Sequence, residues 1–182
     1  MTLTGGLRRA ALTVHVISSV GWLGAVLAFL VVAVTGLTSA DGGLVRAAAL
    51  LMAALGQTVI VPLSLLALAS SVLQALGTRW GLLDHSWVVI KLIITAVSVL
   101  VLLNVQPRLN ALADQAAGWP SPTPAQVAQL RSPSAALHAG GALAGLVTAT
   151  ALSVLKPAGF TPVSAASGVR PAGLNTTATR GP

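Results

Sequence analysis

The chain has 182 residues, 55% of them hydrophobic and only 7% charged, with a mean hydropathy of +0.89. A soluble domain carries about 25% charged residues, and a disordered chain is polar rather than rich in Leu, Ala and Val, so neither description fits. The formal charge of +7 is spread over scattered basic residues that form no nucleic-acid-binding patch, and the absence of cysteine removes disulfides, thiolate metal sites and cysteine nucleophiles.

These exclusions leave an all-α integral protein solvated by the lipid bilayer, in which charge-free runs of about 20 residues mark the crossings. The first crossing, residues 10–37, lies between Arg9 and Asp41. Its apolar run exceeds the roughly 7–15 residues of a signal-peptide core and contains His15 and Trp22, so it reads as an uncleaved anchor. Ser18, Gly21, Ala25 and Ala28 form a small-residue face on it, with Gly21 a packing position. The second crossing, residues 47–76, lies between Arg46 and Arg79. It is longer than one straight passage needs, and Pro62 near its middle predicts a bend. Gln57, Ser64 and Ser71 recur at seven-residue spacing, with Gln74 one turn further on. This polar stripe should face the bundle, either as inter-helix glue or as the lining of a small polar cavity.

The third crossing, residues 86–106, is apolar apart from Lys91. Pro107 to Arg131 is expected to form a polar external loop, in which Trp119-Pro120-Ser121-Pro122-Thr123-Pro124 favours extended backbone and stops any helix leaving the membrane. Pro133 starts the fourth crossing, residues 133–155, where Gly141, Gly145, Ala149 and Ser153 recur every four residues. Gly141 and Gly145 make a G-x-x-x-G pair suited to close backbone approach, within the bundle or across a homodimer or another membrane partner. Residues 157–182 are rich in Gly, Pro, Ser and Thr and read as a disordered cytoplasmic tail on a membrane domain of residues 1–156. With the N-terminus inside, six Lys or Arg residues near crossing ends lie on the cytoplasmic face (Arg8, Arg9, Arg79, Lys156, Arg170, Arg180) and three outside (Arg46, Arg108, Arg131). The expected architecture is a four-transmembrane-helix bundle, N-in and C-in, multi-pass in the plasma membrane.

Catalytic groups are sparse. There is no glutamate, no aspartate within a crossing, and neither a phosphate loop nor a His-Glu-x-x-His motif, so an enzyme is not the first expectation. His15, His85, Lys91 and His138 remain. At 1.5 Å per residue, His15 and Lys91 both lie roughly 7–10 Å inside the same interface, where they can face one another across the bundle. Ionisable groups at such depth are costly, which makes this pair the candidate cofactor-binding site. His138 enters from the opposite face. Soft Cu(I) prefers Cys and Met, and only Met1 and Met52 are present, so no metal site is expected.

Two segments carry a resemblance: His15-Val-Ile-Ser-Ser-Val-Gly21-Trp22-Leu-Gly24, and Gly77-Thr-Arg-Trp80-Gly81-Leu-Leu-Asp-His85-Ser-Trp87-Val-Val-Ile-Lys91-Leu. Over about residues 10–108 the chain resembles a bacterial family of small four-span membrane proteins of unknown function. That family is similar to the copper resistance D family and, more distantly, to the HemJ-type protoporphyrinogen oxidases. The resemblance implies haem binding with His15 and Lys91 as the corresponding positions. Where the HemJ-type proteins carry a later histidine, this chain has Asn104 and Gln106. Three functional classes follow: an accessory or structural membrane component, which asks least of so few reactive groups; a haem-binding or redox-associated protein using His15 and Lys91; and a small metal-handling or transport component.

Overall fold

In hydrocarbon every backbone N–H and C=O must find its partner within the chain, and each regular element here does so as helix. The structure, a computed structural model, describes residues 5–77 and 86–155. Its elements are α1 (Gly5–Thr38), α2 (Gly42–Leu55), a π-helical turn (Gly56–Ile60), α3 (Val61–Gly77), α4 (Ser86–Gly118), α5 (Pro124–Leu130) and α6 (Pro133–Leu155). Trp80, His85, the Trp87 side chain, Lys156 and residues 157–182 lie outside the described residues. Four stretches are long and apolar enough to cross a bilayer, at 34, 34, 31 and 30 residues. At 1.5 Å per residue they reach about 45–50 Å, well beyond a core of roughly 30 Å. Large apolar side chains coat the outside: Ile17 and Val20 are each 65% exposed, Leu100 66% and Leu137 75%. Such a surface is stable against acyl chains and not against water.

α1 packs on α2, α3 and α6, and α4 packs on the same three, so α1 and α4 stand at opposite corners of the bundle. Gly5 and Leu155 belong to one end, here the near end; α2 begins at the far end, where α4 also finishes. Between the corners lies a core built around Trp22, Val26, Phe29, Ile60, Val99, Leu109 and Leu146.

The far end is sewn shut by polar contacts. Asp41 caps α2, its Oδ1 accepting from Gly43 N at 2.8 Å. The helix therefore starts at Gly42 rather than at residue 47; Arg46, which bounded the crossing in the sequence, lies inside the helix. Its Nε donates to the Ala116 carbonyl at 2.8 Å, while Arg131 donates to the Leu37 and Ser39 carbonyls, each at 2.6 Å. Both arginines thus take up carbonyls at helix ends that have no partner within their own helix. Beneath them Val45, Ala49, Ala116 and Leu130 are buried together.

Two expectations need correction. Pro107 does not begin a loop: α4 continues through it to Gly118, because Leu109 and Ala116 beyond it are buried in the core and the far-end cluster. The chain leaves the helix only at the Trp119-Pro120 stretch, and within the expected loop Thr123 and Gln126 form a capping box that starts α5. Near Pro62 the irregularity is a π turn immediately ahead of the proline, closed by Val61 N–H donating to the Gly56 carbonyl. Pro62 has no N–H to give, and the wider turn before it carries the helical stretch on into α3. Gly56 leaves room there for the Gln106 amide of α4, which a Cβ would displace. Gln106 Nε2 in turn donates to the Ala53 carbonyl at 3.2 Å and to Asn110 Oδ1 at 2.8 Å, and Asn110 Nδ2 donates to Gln57 Oε1 at 3.0 Å.

Candidate functional site

Below Trp22, at the near end, the diagonal space between α1 and α4 is hollow. The cavity measures about 490 Å³ and takes its walls from α1, α3, α4 and α6. That volume lies within the roughly 300–1,000 Å³ of small-molecule sites. His15 of α1 and Lys91 of α4 both line it, as do Ser71 and Gln74 of α3. The common depth of His15 and Lys91 in the sequence thus corresponds to one shared chamber, reached from opposite corners.

The protonation of His15 follows from its neighbours. Its Nδ1 lies 3.1 Å from Ser70 Oγ and 3.5 Å from Ser71 Oγ. Both serines spend their hydroxyl protons on backbone carbonyls: Ser70 donates to Leu66 O at 2.7 Å and Ala67 O at 3.1 Å, and Ser71 to Ala67 O at 2.6 Å. With the hydroxyls directed at those carbonyls the serine oxygens face the ring as acceptors, an arrangement that suits the tautomer with the proton on Nδ1. In the neutral ring Nε2 is left with the lone pair. An imidazole anchored through Nδ1–H with Nε2 unprotonated is the form that ligates a metal centre or takes up a proton. Ser70, 4% exposed, is the partner that the seven-residue stripe missed. The signal available was the Ser70-Ser71 pair, at a depth matching His15.

The remaining polar lining divides cleanly. Thr95, Thr150 and Ser153 each donate to a carbonyl of their own helix, at 2.9, 2.8 and 2.9 Å, and therefore offer acceptor oxygens. Lys91 and Gln74 bring donors. Among the described residues two buried side-chain atoms have no hydrogen-bond partner, Gln74 Nε2 here and Gln106 Oε1 in the other half. Among the described residues no acidic side chain lines this cavity, and no group of three His, Cys, Asp or Glu side chains comes together.

The predicted polar stripe does not stay together. Ser71 and Gln74 reach the cavity, Ser64 is fully buried with its Oγ donating to Val61 O at 2.9 Å, and Gln57 joins the far-half amide cluster. The π turn separates Gln57 from the α-helical register that carries the others. Of the packing glycines, Gly21 sits against Leu63, where a Cβ would come within 3.2 Å, and Gly145 against Ile94 and Ser98 at 3.5 and 3.8 Å. Gly141 meets nothing within 4 Å, so the G-x-x-x-G pair makes no close seam inside the bundle. The tight approaches are instead at Gly56 and at Gly36, where a Cβ would fall 2.8 Å from Ala48 Cβ. His138 lines a separate apolar cavity of about 60 Å³ beyond Trp22, its Nδ1 2.6 Å from the Ser134 carbonyl.

No protein-family model, curated protein or solved structure matches the chain. What the cavity can hold is decided by its own chemistry.

Proposed function

We propose that this is a haem-binding membrane protein, in which the near-end cavity would hold the group and His15 would ligate its iron. The observation that carries the reading is the His15 ring, anchored by Ser70 and Ser71 so that Nε2 keeps its lone pair in the wall of a cavity of about 490 Å³. The donor set fits a tetrapyrrole: one imidazole for the iron, the apolar Leu23 and Leu92 for the macrocycle, and the Lys91 cation in the same wall for a propionate. It fits a bare ion poorly, because among the described residues no cluster of metal-ligating side chains is available and a tetrapyrrole brings its own equatorial ligands. When bound, haem supplies one-electron chemistry at the iron, while the chain positions the group and shields it from water. Asn104 is exposed and Gln106 turns to Gly56, so neither offers a second axial ligand. The compartment that goes with this reading is the plasma membrane with both chain ends cytoplasmic, supported by the excess of Lys and Arg at that face.

The test is the absorption spectrum of protein purified in detergent from haem-replete cells. A Soret band is expected, reduced at least tenfold by His15→Ala and unchanged by His138→Ala. A colourless preparation overturns the proposal in favour of an accessory or structural component, which needs no ligand at all.

A further inference from the structure

The near-end cavity is bounded on one side by residues that also face outward. Leu12, Val16 and Val20 of α1 line it and are 52%, 50% and 65% exposed, and Thr150 of α6, also exposed, lines it from across the gap. On α1 the positions packed towards α3 are His15, against Ser70, and Gly21, against Leu63, so the exposed rim lies on the α6 side. The space between α1 and α6 is therefore open below Trp22. Leu12 to Val20 covers about 12 Å of helix at 1.5 Å per residue, within the apolar part of the crossing and level with acyl chains rather than with water.

We infer that this gap is a lateral portal, through which the cavity takes an amphipathic ligand dissolved in the bilayer. The polarity runs the right way for such a molecule. Its polar or metal-bearing part reaches His15 on the far wall, while its hydrocarbon part stays against Leu12, Val16 and Val20 at the rim. The inference rests on the near-end cavity being a ligand site, but not on the ligand being haem. Trp22 is the internal reporter: it is 2% exposed, yet it lines this cavity.

The experiment uses the full chain with Trp80, Trp87 and Trp119 replaced by Phe, reconstituted in vesicles of phosphatidylcholine brominated at mid-chain. Through an open portal the bromines reach Trp22 and its emission falls at least twofold relative to unbrominated vesicles. Ala149→Phe, which fills the cavity at α6, should restore most of the emission; if that variant does not fold, Val20→Phe at the rim serves instead. Unquenched Trp22 in brominated lipid, or quenching by aqueous iodide alone, overturns the portal. His15→Ala leaves bromine quenching intact while abolishing any Soret band. Quenching in a colourless protein therefore sinks the haem reading and keeps the portal; a protein that carries haem as purified but shows no bromine quenching of Trp22 once the haem is removed does the reverse.

Discussion

The two halves of this bundle use their few polar residues in opposite ways. In the far half most polar side chains discussed above close something: Asp41 starts a helix, Arg46 and Arg131 finish two others, and Gln57, Gln106 and Asn110 bind the π turn to α4, although Gln106 Oε1 itself has no partner among the described residues. At the near end the polar groups surround a hollow, and Gln74 Nε2 is buried there with no partner among the described residues. Polar groups in a membrane bundle are costly unless joined, so the contacts of the far half stabilise the fold, whereas those of the near end line a space. Trp22 is the boundary, since it walls both the near-end cavity and the small apolar one beyond it.

Substitutions can break this contrast, and the largest effect is expected at Gly56. A methyl group there drives into Gln106, and Gly56→Ala should lower the unfolding free energy in mixed micelles by about 3 kcal/mol, as overpacking does. Gln106→Ala in the same chain should return about 2 kcal/mol of that, and a strictly additive double mutant would show that the two do not meet. Arg131→Met should cost about 2 kcal/mol, because two carbonyls at the end of α1 lose a charged donor. Asp41→Ala, which removes the α2 cap, should cost about 1 kcal/mol in the same assay. The smallest effect carries the opposite sign. Gln74→Leu removes a buried amide whose Nε2 has no partner among the described residues and should stabilise the ligand-free protein by about 0.5 kcal/mol. A loss of more than about 1 kcal/mol from Gln74→Leu would erase the distinction between the halves.

The crossings were legible because they depend on composition, and so was the common depth of His15 and Lys91, because depth is a residue count along a straight rod. The helix limits were less so. Arg46 and Arg131 were read as topology charges, yet both reach carbonyls on other elements, which no local pattern discloses. Pro107 looked like a stop signal, whereas burial of Leu109 and Ala116 carries the helix past it. Gly141 and Gly145 satisfied a packing motif, but packing needs a partner facing them, and Gly141 has none within 4 Å.

By itself the sequence determined that lipid surrounds this chain and that it crosses four times, because the free energy of insertion is close to a sum over residues taken one span at a time. Only the tertiary structure decided which side chains meet. Facing depends on the rotation of each helix about its axis, at about 100° per residue, so the one wide turn at Gly56 is enough to send Gln57 to Asn110 and leave Ser71 and Gln74 around His15.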